Sequence, residues 1–192
     1  MSDGILVIGA GSDTTSSVLS NAFYFLMSNP DAYKRLQEEV DKFYPAGEDS
    51  LDPKYYPEMS YMEAVMLVFN LKGNQARIHF FSLHRDPRHF TDPARFWPER
   101  WLIAEGLRPC PPALQASFIH SPGAFVPFSH GPANCVGKAL AMHEMRTVVC
   151  HVVQRLRLAF APGWDTRQWE REIEDKFVVR HGKLLVVARA RG

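Results

Sequence analysis

From Gly4 to Met27 the chain is apolar on nearly every side, reading ILVI, then AG, then SSVLSNAFYFLM. A helix with so little polar face belongs inside a larger protein. Asn29-Pro30 ends it, because proline restricts the residue before it. Asp31 then serves as an early-turn acid for a second helix over Ala32 to Phe43, with Leu36, Val40 and Phe43 on one face and Lys34, Glu38 and Asp41 outside. Pro45 to Asp49 is a loop, and a third helix from Met59 passes by Phe69 into a purely apolar run. Lys72-Gly73-Asn74 is a turn, and the alternation Arg77-Ile78-His79-Phe80 predicts a short strand over Ala76 to Leu83. Residues 85 to 134, rich in proline and aromatics, read as ordered irregular coil. The clearest helix is Cys135 to Leu156, with Val136, Leu140, Val149, Val152, Val153 and Leu156 assigned to one stripe. The tail, Leu158 to Phe160 and then Phe177 to Ala188, reads as strands with a hairpin turn at His181-Gly182-Lys183. The expected fold class is mainly α with a small antiparallel β-sheet.

Composition narrows the function classes. The chain has 192 residues, 46% hydrophobic and 22% charged, enough for one packed domain. Lys plus Arg number 22 against 21 Asp plus Glu, so bulk charge points to no nucleic acid and no membrane surface. Cys110, Cys135 and Cys150 are odd in number and show no C-x-x-C spacing, which argues against a disulfide framework and suits a reducing compartment. The start has no basic n-region, and the run from Ile5 is too polar for a spanning helix, so no signal peptide and no transmembrane segment are expected in this chain.

The chemistry concentrates in Phe128-Ser129-His130-Gly131-Pro132-Ala133-Asn134-Cys135-Val136-Gly137, just ahead of the clearest helix. A free cysteine is mostly protonated at neutral pH; a metal or the N–H groups at a helix start favour its anion. Gly131 and Gly137, with no Cβ, let backbone pass close to a flat ligand. A cysteine on such a loop is a good axial thiolate for haem iron. The plain alternative, a buried structural cysteine, suits Cys110 and Cys150. Ala10-Gly11-Ser12-Asp13-Thr14-Thr15 places a carboxylate and hydroxyls on the first helix, which in a dry site form a proton relay; read alone it is an ordinary helix interior. His84-Arg85-Asp86-Pro87 and Pro98-Glu99-Arg100-Trp101 punctuate the coil.

The pattern F-x-x-G-x-x-x-C-x-G, followed by Lys138-Ala139-Leu140-Ala141, resembles the haem-binding loop of the cytochromes P450. Ala10 to Thr15 resembles the A/G-G-x-D/E-T-T motif of that family's central helix, and the two coil segments resemble its H-R-D-P and P-E-R-F stretches. The three matches fall in the right order. The resemblance implies a haem-thiolate monooxygenase that inserts one atom of dioxygen into a small hydrophobic organic substrate, with haem b (iron protoporphyrin IX) as cofactor. Electrons would come from NADPH through an NADPH-cytochrome P450 reductase. It implies Cys135 as the iron ligand, with Phe128, Gly131 and Gly137 shaping its loop. Ala10 and Gly11 would open a groove for dioxygen, and Asp13 and Thr14 would orient water and pass protons. Full-length relatives are expected at the endoplasmic reticulum membrane, on the cytosolic face; this chain carries no anchor of its own, and would otherwise be cytoplasmic.

Residues 1–192 would then be a single incomplete domain: a central oxygen-binding helix 4–27, a deleted E-x-x-R region near 66–71, the thiolate loop 128–137, the following helix 135–156 and tail strands 157–190. The family's N-terminal half is not represented. Counting on from Tyr61-Met62-Glu63-Ala64-Val65, Val68 falls where the family has Glu and Leu71 where it has Arg. In the family those two residues pair with the equivalent of Arg100, and losing one side of a buried ion pair costs ~3–5 kcal/mol. Poor stability and weak haem retention are expected. Ala133 also replaces the arginine that in the family meets a haem propionate. Two alternatives follow: a truncated, catalytically inactive relative with weak or no haem binding, and a NAD-binding protein using Gly9-Ala10-Gly11 after an apolar strand. The second lacks the third small residue and the later acidic residue of that motif. A metalloprotease reading of His143-Glu144 fails, since Thr147 stands where the second His is needed.

Overall fold

Asn29 and Pro30 divide the first forty residues into two helices, α1 (Asp3–Ser28) and α2 (Pro30–Phe43). Proline at the first helical position costs nothing, because its missing N–H has no intrahelical partner there, and Asn29 Nδ2 closes α1 by donating to Phe25 O at 2.7 Å. This computed structural model describes residues 3–72, 80–131, 134–174 and 182–191; for 3–13, 68–72, 80, 81 and 170 only the backbone is considered. The remaining helices are α3 (Ser60–Lys72), α4 (Phe80–His84), α5 (Glu99–Ala104), α6 (Lys138–Arg155) and α7 (Gln168–Arg171). Strands β1 (Leu156–Phe160) and β2 (Val186–Ala190) pair antiparallel, from Leu156↔Ala190 to Phe160↔Val186. The class is the expected one, mostly helix with a minor two-stranded sheet.

The core lies where α1, α2, α3 and α6 pack against one another. Leu26, Leu36, Val40, Met62, Val65 and Val149 are almost wholly withdrawn from water, each contributing on the order of 1.5–3 kcal/mol of burial. α2 delivers a buried side to this core through Ala32, Tyr33, Leu36 and Val40. Two tethers are polar. Glu39 of α2 accepts from the backbone N–H groups of Tyr61 (2.8 Å) and Met62 (2.7 Å), satisfying donors in the first turn of α3. The Tyr33 hydroxyl donates to Leu156 O (3.4 Å) and accepts from Leu158 N (3.1 Å), which pins β1 to α2.

Several expectations are corrected. The strand over Ala76 to Leu83 is, in its described part, the helix α4, closed by Arg85 N to Ser82 O and Asp86 N to Leu83 O; residues 76–79 lie outside the described residues. A short alternation without a partner strand gains no ladder bonds. The helix expected from Cys135 begins at Lys138, and Cys135–Gly137 form the turn before it. Its stripe is also different: Met142, Met145, Val149, Cys150 and Val153 face the core, while Val136 is fully exposed and Leu140 is 58% exposed. Leu140 and Val149 are nine residues apart, which at 3.6 residues per turn places them on opposite sides. In the tail, β2 pairs with β1 across an intervening turn and α7. The hairpin at His181-Gly182-Lys183 falls partly on residues outside the described ones.

His84 is 3% exposed, and its Nε2 accepts a hydrogen bond from Val126 N at 3.0 Å. That geometry requires a neutral ring, and burial holds the His84 pKa down to about 4. His120 is also lowered to about 4, by burial and then by the Arg100 charge. The unfolded chain binds protons below about pH 6.5 that the folded chain refuses, so stability falls as pH drops from about 6.5 towards 4. Urea melts should give a chain less stable at pH 5 than at pH 7 by roughly 1–2 kcal/mol per histidine. His84→Asn should flatten that dependence. A pH-independent midpoint would contradict it.

Candidate functional site

The described parts of the segment Phe128–Gly137, residues 128–131 and 134–137, lead into the start of α6. Phe128 is half-buried and packs on the core, and its carbonyl accepts from Cys135 N at 2.8 Å. That bond closes the loop on itself. The chain reverses direction through two left-handed residues, Ser129 (φ 65°) and Gly131 (φ 78°). The second suits glycine, which has no Cβ to clash there. Asn134 N then donates to Gly131 O at 3.1 Å, and Lys138 N donates to Cys135 O at 3.3 Å. Gly137 is the residue preceding α6, and Cys135 stands two residues ahead of it.

The result is an exposed thiol. The chain that follows it exposes two large apolar residues, Val136 at 100% and Leu140 at 58%. A Cβ added at Gly137 would meet only the Cys135 sulfur, at 3.8 Å, so no protein packing demands glycine there. Lys138 Nζ lies over the Phe128 ring, 5.8 Å from its centroid. Among the described residues no group of three His, Cys, Asp or Glu side chains converges, so Cys135 is a single thiol donor on an apolar face. Such a face suits a flat apolar group that brings a metal with its other ligands already supplied. Cys150 differs in kind: fully buried on α6, with its thiol pushed up to about 12 by burial. It is core packing.

The other sequence-marked residues lie on α1. Ala10, Gly11 and Asp13 occupy its first half, and their side chains are outside the described residues; Thr14 is exposed. α1 packs against α6, which puts the two motifs on neighbouring helices. Gly9-Ala10-Gly11 are also inside α1, whereas the dinucleotide reading needs a strand ending in a loop at that point. Ala133 is outside the described residues.

The coil ahead of the loop is organised by one cation. Arg100 is 1% exposed, and its guanidinium donates to four backbone carbonyls: Thr91 O and Asp92 O at 2.7 Å, Arg95 O at 3.2 Å and Trp97 O at 3.3 Å. Burial lowers its pKa to about 10, with the Asp92 charge opposing that shift, so it remains a cation at neutral pH. The sequence led us to expect an unpaired charge here; the backbone carbonyls take that role. Glu99, its neighbour, turns the other way and holds Arg35 of α2 and the Tyr61 hydroxyl of α3. Glu63 of α3 pairs with Arg146 of α6. Sequence reasoning missed both Glu39 and Glu63, because neither a cross-helix cap nor an inter-helix pair leaves a local pattern.

The cytochrome P450 family model matches residues 4–67 and 71–187. The chain belongs to the cytochrome P450 family. It is 30% identical over 201 residues to the cytochrome P450 monooxygenase phqL of Penicillium fellutanum, covering 93% of this chain and 34% of that protein. It is 32% identical over 181 residues to cytochrome P450 3A31 of Mesocricetus auratus, covering 82% of the chain and 34% of that protein. It is 31% identical to the cytochrome P450 monooxygenase dtxS2 of Metarhizium robertsii, covering 85% and 36%. The chain thus spans about a third of the length of these P450 relatives. Among the described residues no helix is long and apolar enough to cross a membrane.

Arg100→Ala removes the donor that serves four carbonyls of this P450 coil. Hydrogen bonds from a charged group are worth about 1.5–3 kcal/mol each and water replaces some of them, so the loss expected in urea unfolding is about 3–4 kcal/mol. Arg100→Lys should recover less than half, because a point ammonium cannot span the four acceptors. A loss below about 1 kcal/mol would show that the cage does not hold the coil.

Proposed function

We propose that this chain is the haem-thiolate portion of a monooxygenase that inserts one atom of dioxygen into a small organic substrate. The observation that carries the reading is the exposed Cys135 thiol, set on an apolar face by the Phe128 carbonyl and the start of α6. That donor and that uncovered surface fit a haem. Cys135 would be its axial ligand, Phe128 would hold the loop from behind, and Gly131 and Gly137 would keep side-chain bulk away from the ring. Bound haem supplies the redox and oxygen-activating chemistry. This chain's own residues do the rest. The small Ala10 and Gly11 would leave room for dioxygen, as the family resemblance implies. Thr14 and Asp13 hold and pass protons, a hydroxyl and a carboxylate one residue apart on α1. The apolar faces keep bulk water out. Electrons would come from NADPH by way of a reductase, with the whole protein at the endoplasmic reticulum membrane.

A second reading, a catalytically inactive relative with weak haem binding, is favoured by a specific pair of observations. The family match breaks between Leu67 and Leu71. The alignments to the Penicillium and Gibberella relatives run over 201 and 205 residues, longer than the 192 of this chain, while taking in 93% and 92% of it. The excess is relatives' sequence with no counterpart here. We place the missing run at residues 67–71, where the E-x-x-R of the family is expected, and α3 continues straight through the join. The coil stays anchored by Arg100, so the proximal loop can form; haem retention is what suffers.

The two readings separate in one experiment. The chain expressed with added haem should give a reduced carbon-monoxide difference band typical of thiolate ligation at well under one haem per chain. The band should vanish in Cys135→Ala and persist in Cys110→Ala. A spectrum unchanged by Cys135→Ala would overturn the ligand assignment. No band at all, with the chain folded by circular dichroism, would leave the inactive-relative reading standing alone. For the join, sequencing the transcript should show codons 67 and 71 in one continuous frame; an E-x-x-R-bearing stretch found between them would sink the deletion.

A further inference from the structure

β1 and β2 form a ribbon in which Arg157 stands directly opposite Arg189. Directly opposed residues on antiparallel strands share a face, and like charges so placed cost stability. At the same end of the ribbon, Arg191 N donates to Arg155 O at 2.9 Å, which brings the last residue of α6 beside the residue after β2. Four arginines therefore gather at one end of a five-residue ribbon. Arg191 is neutralised: its guanidinium meets both carboxylate oxygens of Asp41, at 3.0 and 2.6 Å, and donates to Val153 O at 2.7 Å. Arg157 and Arg189 are exposed and form no ion pair among the described residues. Asp41, Glu48 and Asp49 line the neighbouring hollow, together with Arg155 and Arg191. A separate hollow of about 390 Å³ is walled by Arg157, Arg189, Ala190 and Arg191, with no acid in its lining.

Charges on an open strand edge deter edge-to-edge association. One arginine, or a pair of opposite sign, would serve that end without placing two cations face to face. Two exposed arginines that line one small hollow instead suit phosphate, to which each planar guanidinium can offer parallel N–H donors. We propose that the hollow between Arg157 and Arg189 is a binding site for a phosphate-bearing anion, which relieves the cross-strand repulsion when it binds. The site uses no residue of the Cys135 loop, and so it stands or falls independently of the haem assignment. Its ligand is either a soluble phosphate compound or the phosphate of a lipid headgroup, two sources of the same chemistry.

The test titrates pyrophosphate into the 192-residue chain at constant ionic strength by calorimetry, and in parallel pellets the chain with vesicles of phosphatidylcholine alone or with added phosphatidic acid. Saturable pyrophosphate binding, weakened at least ten-fold in Arg157→Gln/Arg189→Gln, is the expected result. Arg157→Lys/Arg189→Lys, which keeps the charge and loses the planar fork, should bind between the two. The Gln variant should melt no lower than the parent, since a repulsion has been removed, and this separates lost recognition from lost folding. Pelleting with phosphatidic acid vesicles that pyrophosphate only weakly displaces assigns the site to a headgroup; pyrophosphate binding without pelleting assigns it to a soluble ligand. The proposal is overturned if neither probe binds saturably, or if the Gln variant binds as the parent does.

Discussion

The long coil between α4 and α6 depends on one buried cation. Proline-rich chain cannot build a ladder of its own, because proline has no N–H to give and restricts its neighbour. Residues 91–100 instead fold around Arg100, whose planar fork reaches four carbonyls of its own loop. The guanidinium also lies over the Trp97 ring, 5.3 Å from its centroid. Once Arg100 is fixed, Glu99 must point the opposite way, and it does so toward Arg35 and Tyr61. Trp101 follows, packing against His120 and Phe125, both with ring centroids 4.5 Å away. One side chain thus sets the shape of the coil, its attachment to α2 and α3, and the starting point of the chain that leads to Phe128.

From Phe128 onward the constraint passes to α6. The helix presents Met142, Met145, Val149 and Val153 to the core, which fixes its rotation about its own axis. That rotation leaves Val136 and Leu140 outside, beside the Cys135 thiol. Val136 is the most exposed large apolar residue among the described ones, and this uncovered pair is what the proposed flat cofactor would cover. The thiol, its loop and the apolar strip are therefore consequences of how one helix is packed.

Much of this could be read in the sequence, and the failures are informative. The Asn29-Pro30 break, the helices on either side of it and the irregular coil all follow from local rules. The family itself follows from a motif with strict spacing around Cys135. The α6 stripe was misassigned because Val136 and Leu140 were counted with Val149 on apolarity alone, although the helical period puts Leu140 on the opposite side. The strand expected around Phe80 rested on four alternating residues, too few to outweigh the lack of a partner strand among the described residues. Arg100 was read as half of a broken ion pair. Its carbonyl cage could not be foreseen, since every backbone segment offers carbonyls and only the folded coil decides which four converge.

The break between Leu67 and Leu71 is consequential because α3 does not register it. A helix accepts a join between two apolar stretches so long as the residues on its inner side remain apolar, and Tyr61, Met62, Val65 and Met66 keep α3 seated ahead of it. Glu39 caps its start and Glu63 ties it to α6, both upstream of the break. The helix is therefore seated by contacts that all lie ahead of the point where the family match is interrupted. The Cys135 loop is likewise fixed outside that break, through the Phe128 carbonyl and the packing of α6 against α1 and α2, so the architecture that presents the cysteine does not rest on the residues at which the family match is interrupted.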